Sequence, residues 1–153
     1  MAKPDNIDHF NRVVLHTLDH LYAAFPVPVE LKVPEIAELA SPGSVPVNLP
    51  FEALEPTFEA IRFLAKEGFL TYAEYYLDGS AFLHVQLTMK GLTVLGQAPD
   101  SLEQSESLIK RIRGVLTSGA KGIGSEATKL LVSQAFAAAI KAFPVAVAVI
   151  GKT

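Results

Sequence analysis

Three imidazoles are the first groups in this chain whose type and spacing could do chemistry. His9, His16 and His20 would fall within about 40° of one another on a helix, with Asp19 beside them. His16 and His20 stand one turn apart, a spacing that can chelate a divalent ion. An open helix without a further carboxylate or a supporting shell gives only a weak site, so the expectation is a solvated face and no metal. Glu55 and Glu59 form a second one-turn pair. On an exposed helix two carboxylates have neither a cleft nor pKa tuning, so general acid–base work is not expected of them. The segment Gly119-Ala-Lys-Gly-Ile-Gly-Ser125 imitates a phosphate loop, but no strand precedes it and its lysine is misplaced, so it reads as a hinge. No nucleophile elbow, Walker loop, dinucleotide fingerprint or His-Glu-x-x-His occurs. With no cysteine there is no thiol catalysis, thiolate site or disulfide. The chain is expected to be non-catalytic and to carry no cofactor.

Recognition chemistry is better represented. Glu52, Glu55, Glu59, Arg62, Phe63 and Lys66 share the outward face of a helix whose inward stripe is Leu54, Phe58, Ile61, Leu64 and Ala65. Phe63, flanked by charge, has the character of an anchor for a protein partner. The alternative is that it folds under the neighbouring hairpin while the charges are merely solvated.

The elements that hold this face can be read in order. Pro56 suits the first turn of its helix, and Gly68 stands where a left-handed C-terminal residue belongs. Phe69 to Leu77 is rich in aromatic and β-branched types. Ala81 to Leu87 alternates, with Ala81, Leu83, Val85 and Leu87 on one side and Phe82, His84 and Gln86 on the other. Asp78-Gly79 supplies the positive φ of a tight hairpin. Thr88 then caps a short helix through Leu95 that Gly96 ends. Upstream, Asn6 or Asp5 opens a helix to about Phe25, with Ile7, Phe10, Val14, Leu18, Leu21 and Phe25 as its buried stripe. Val27 to Val33 reads as an edge strand because Pro26 and Pro28 suit an edge. Pro34 starts a second helix over Glu35 to Ala40.

This order, with the phrases "LAKEGFL" and "LTMKGLTVL", resembles the winged-helix superfamily of bacterial regulators. The matching positions are Leu64, Gly68, Phe69, Leu87, Thr88, Lys90, Gly91 and Leu95. The resemblance implies an α+β fold over residues 5–97: a winged helix-turn-helix with a three-helix core and a small antiparallel β-wing. It also implies a DNA-binding transcriptional regulator whose third helix reads bases. The chain departs from that pattern between the second and third helices, where Ser41 to Pro50 replaces a turn of 3–4 residues. Val45, Val47 and Leu49 favour an ordered loop there.

Residues 98–153 form a C-terminal helical extension. Leu102, Leu108, Ile109, Ile112 and Leu116 suggest a fifth helix with Lys110, Arg111 and Arg113 toward its polar side. Glycines over 114–124 break the pattern as a hinge, and Ser125 caps a sixth helix to about Phe143. Its alanine-rich face, including Leu131, Ala135, Ala138 and Ala142, suits close packing within the chain or between copies. The uncharged tail 144–150 is β-prone and is expected to pack on something.

Charge divides the chain. Residues 1–100 hold six basic and thirteen acidic side chains, a net −7, and the remainder is +4. An acidic docking helix is a poor match for a polyanion. The favoured function is therefore a binding module for a protein partner or for itself, through Glu55, Glu59, Arg62, Phe63 and Lys66, with a homo-oligomer expected. The alternative is a DNA-binding dimer with phosphate contacts from Arg62, Lys66, Lys110, Arg111 and Arg113. A third reading, a membrane-associating C-terminal segment, suffers from the small insertable area of an alanine face. Without a signal peptide or a membrane-length apolar run, the expected location is the cytoplasm.

Overall fold

The computed structural model describes residues 6–41, 51–96, 107–117 and 125–142. Over these residues the fold is mixed α+β, with six helices and a small antiparallel four-stranded sheet. The order is α1 (Asn6–Ala24), β1 (Val29–Lys32), α2 (Val33–Ala40), α3 (Phe51–Lys66), β2 (Leu70–Thr71), β3 (Glu74–Tyr75), β4 (Ala81–Leu87), α4 (Met89–Gly96), α5 (Leu108–Thr117) and α6 (Ser125–Ala142). The Ser41–Pro50 link beyond Ser41, the linker from Gln97, Leu102, the glycine-rich segment 118–124, Phe143 and the apolar tail lie outside the described residues.

α1 is the axis of the core. It touches α2, α3, α5, α6 and β4, and Val13, Val14, Leu15, Thr17, Leu18 and Leu21 are all buried. One stripe cannot meet so many neighbours, which is why Val13 and Leu15 are inside as well as the expected Val14, Leu18 and Leu21. The ends of the expected stripe, Ile7 and Phe25, are exposed instead. Leu108, Ile109 and Ile112 of α5 and Leu131, Val132, Ala135 and Ala139 of α6 join the same apolar cluster as the residues of α1–α4. The C-terminal helices thus share one core with the rest. Among the described residues no helix is long and apolar enough to cross a membrane.

β4 is the central strand. β1 flanks it on one side, while β2 and β3 share one register on the other, Leu70 opposite Leu87 and Tyr75 opposite Phe82. The expected alternation along β4 fails at one point. Between the Val29–Val85 and Leu31–Phe82 pairs, Glu30 faces two residues, Leu83 and His84, and His84 has a φ of 57°. That is a β-bulge, and histidine tolerates the left-handed region better than most residues. One extra residue reverses the parity of the strand. Phe82 therefore joins Val85 and Leu87 on the inner face, fully buried, and stacks on Phe58 with ring centres 4.7 Å apart.

Three further expectations are corrected. α3 begins at Phe51, so Pro56 lies inside the helix and the Glu52 carbonyl loses its helical donor. The start is set by contact with the hairpin, since the Phe51 ring covers Gly79 so closely that a Cβ there would lie 2.5 Å from Cε1. The hairpin turn is wider than two residues. Tyr76 N–H bonds the Ala81 carbonyl, Gly79 N–H bonds the Tyr76 carbonyl, and the Asp78 carboxylate accepts from both the N–H and the hydroxyl of Ser80. Gly79 does supply the positive φ, at 76°. Finally, Gly114 sits within α5, which runs on to Thr117, so the hinge does not begin there.

Candidate functional site

The site is built around the last two turns of α3, and its inner side is sealed by α4. Gly68, at φ 89°, turns the chain out of the helix. Gly68 N–H bonds the Ala65 carbonyl and Phe69 N–H bonds the Leu64 carbonyl, the double bond pattern of a left-handed helix cap. Three carbonyls at the end of α3 and just beyond it each receive a donor from Thr88, the residue before α4, or from Lys90 within it. Lys90 Nζ donates to Glu67 O at 2.8 Å, the Thr88 hydroxyl donates to Gly68 O, and Thr88 N–H donates to Phe69 O at 3.1 Å. The same Thr88 Oγ1 accepts from Gly91 N–H at 3.0 Å and so caps α4. Lys90 also lies 5.4 Å from the Phe69 ring centre, and its charge suits the negative end of α3. Gly91 is there because nothing larger fits: a Cβ would stand 2.3 Å from the Phe69 carbonyl oxygen.

The outward side is open. A groove of about 860 Å³ runs between α3 and β2, lined by Glu59, Arg62, Phe63, Ala65, Lys66, Leu70, Thr71 and Tyr72. Next to it lies a smaller apolar hollow of about 180 Å³, walled by Phe63, Phe69, Phe136, Ala139 and Ile140 with Glu67 and Lys90 at its edge. Phe63 forms the ridge between the two. It is 41 % exposed, and it does not fold under the hairpin. It leans instead on Phe10 at 5.5 Å and Phe136 at 6.5 Å between ring centres, residues of α1 and α6.

Of the face expected to bind partners, the groove gathers Glu59, Arg62, Phe63 and Lys66, while Glu55 is exposed on α3 outside its lining. Arg62 pairs with Glu59 at 3.4 Å and lies 5.7 Å from the Tyr75 ring centre and 6.0 Å from that of Phe58. The Glu59 carboxylate, followed by a hydrogen bond to Tyr72, holds its guanidinium above the ordinary range. Lys66 is exposed and has no ion-pair partner among the described residues.

The remaining cations are not gathered with them. Arg113 is taken by Asp19 at 2.7 Å and lies over Tyr22, and Arg111 donates to Gln134 at 2.6 Å. Both are thereby bound to α1 and α6 rather than held out for phosphate. Lys110 is exposed on α5. The proposed packing face of α6 is likewise spent inside the chain. Leu131 and Ala135 are buried in its own core, Ala138 is half-buried, and the Ala142 side chain lies outside the described residues. Leu131 and Ala135 are thus closed to another copy.

The imidazoles do not form one solvated face. His9 and His16 are half-buried, and His9 Nε2 shares a hydrogen bond with Thr57 Oγ1 of α3 at 3.1 Å. Burial pushes both rings below the ordinary value of 6.5. The spacing could not reveal this, because α3 closes over His9 from far along the chain. His20 alone is exposed. Among the described residues no three histidine or acidic side chains converge to hold a metal. Sequence reasoning also missed the hollow beside Phe63, whose walls come from α3, α6 and Phe69. Compared with protein-family models, curated proteins and solved structures, the chain matches none of them.

Proposed function

We propose that this chain is a non-catalytic winged-helix module that binds another protein, or another copy of itself, through the outward face of α3. The helix order, the hairpin and the docking of the Thr88-Met-Lys-Gly91 phrase onto the end of α3 support the winged-helix reading. The observation that carries the binding reading is Phe63. An aromatic ridge on a docking helix, flanked by a groove and an apolar hollow, is the kind of anchor that protein interfaces use. A phosphate-binding surface needs convergent free cations, and Arg62, Arg111 and Arg113 are each engaged inside the chain.

The second reading is a DNA-binding regulator, favoured by Arg62 and Lys66 lining a groove beside the hairpin. Fluorescence anisotropy with duplex DNA pools at physiological salt separates the two. Binding no tighter than the non-specific range of about 10⁻⁴–10⁻⁶ M is expected. Sequence-selective binding tighter than about 10⁻⁸ M would overturn the proposal.

A further inference from the structure

We infer that the segment following α6, residues 143–150, folds back on its own chain and fills the apolar hollow with the ring of Phe143. This goes beyond the binding reading and does not depend on it. The hollow holds about 180 Å³. Small-molecule sites begin at about 300 Å³, whereas an apolar cavity of about 150 Å³ takes a single benzene ring. Three of its walls are phenylalanine rings, Phe63, Phe69 and Phe136, which favour a further ring set edge-on. At its edge Glu67 and Lys90 offset each other, and the Lys90 ammonium is already held by the Glu67 carbonyl. A rim without net charge suits an uncharged occupant.

The chain supplies one at that spot. Phe136, Ala139 and Ile140 are the α6 residues in the wall, spaced i, i+3 and i+4 on one helix face. The next position of that series, i+7, is Phe143, which directly follows the end of α6 at Ala142. It comes about 4–5 Å of helical rise after Ile140, so the chain leaves the helix at the rim of the hollow. Pro144 disfavours a further helical turn. Phe143 to Ile150 has no charged or polar side chain, and such a β-prone run left in water is an aggregation hazard. Beside the hollow, Ile140 is 65 % and Phe63 41 % exposed, so one contact covers apolar surface on both of its sides. Being intramolecular, it does not depend on protein concentration. With the hollow filled, the groove along β2 is the open half of the α3 face, and a partner reaching past Phe63 must first displace the segment.

The chain has no tryptophan, so Phe143→Trp in the full chain places a single reporter at the contact. Its emission should lie to the blue of its emission in urea and be shielded from acrylamide. Adding Phe63→Ala, which removes the wall contributed by α3, should abolish both the shift and the shielding, with circular dichroism checking the fold. A double-mutant cycle of Phe143→Ala with Phe63→Ala in urea needs no larger ring to fit. There the folding constant of the double variant should exceed, by at least about twofold, the value expected from multiplying the two single losses. An exposed indole together with multiplicative losses overturns the inference, as does shielding that Phe63→Ala leaves intact. Shielding that appears only as protein concentration rises also overturns it, because the occupant is then the segment of another copy.

Discussion

The inner and outer sides of the last turns of α3 are made to opposite specifications. Inside, Thr88 and Lys90 satisfy three successive carbonyls, and Gly91 leaves no room for a methyl group. Outside, Phe63 and Lys66 face open volume. The residues that made the sequence resemble a known superfamily belong almost entirely to the inner side. The phrase Leu-Thr-x-Lys-Gly is therefore a rule for fastening one helix to another, and it would persist whether the outer side met DNA, a protein or nothing. Fold and the proposed function are thus written on separate faces.

Two substitutions test the inner side, where the effects should be largest. Gly91→Ala places a carbon against the Phe69 carbonyl. Helix propensity should favour alanine by about 1 kcal/mol, so a net loss isolates the clash. A destabilisation of about 2 kcal/mol is expected in urea denaturation, and stability equal to wild type would mean the contact relaxes freely. Thr88→Ala comes next. It removes the cap of α4 and the donor to Gly68 O together, for an expected loss of about 1–2 kcal/mol. An unchanged urea midpoint would deny the clamp its role.

The same contrast explains how much was legible in the sequence. Gly68, Gly79 and Thr88 announce local backbone demands, and each performs them where expected. What escaped depends on tertiary context. The bulge at Leu83-His84 follows no rule of alternation, and it moved Phe82 to the core. Pro56 looked like a helix start until Phe51 found Gly79 and lengthened α3 by a turn. Gly114 looked like a breaker, but Ile109 and Ile112 are buried and their packing carries α5 past it. The outer face was legible as a set of residues on one helix side, yet its groove needs Leu70 and Tyr72, and its hollow needs α6.

Between the two sides lies a smaller, pH-dependent contribution from α1. His9 and His16 are held below their ordinary value by burial, so the folded state resists taking up a proton that the unfolded chain accepts. On acidification through 6.5 the unfolded state binds more protons, and stability falls until the folded-state values are passed. Denaturation midpoints should therefore drop from pH 7.5 to pH 5, and His9→Gln should flatten part of that slope while leaving the carboxylate contribution. An identical slope in the variant would show that the His9–Thr57 contact does not couple to folding.

The smallest expected stability change is also the sharpest test of what the outer side meets. Lys66 and Lys110 are exposed and without ion-pair partners among the described residues, so Lys66→Gln with Lys110→Gln should shift stability by less than about 0.5 kcal/mol. Their effect on a ligand depends on its chemistry. Were the ligand duplex DNA, each lysine on a phosphate would contribute about 0.9 to the slope of log affinity against log salt, and the double variant would flatten that slope by about 2. A protein partner anchored on Phe63 predicts something else: dissociation governed by the aromatic, with the lysines altering mainly the rate of encounter. Measuring the salt slope before and after the double substitution thus asks which polymer the open face is shaped for, in a protein whose fold the substitution leaves alone.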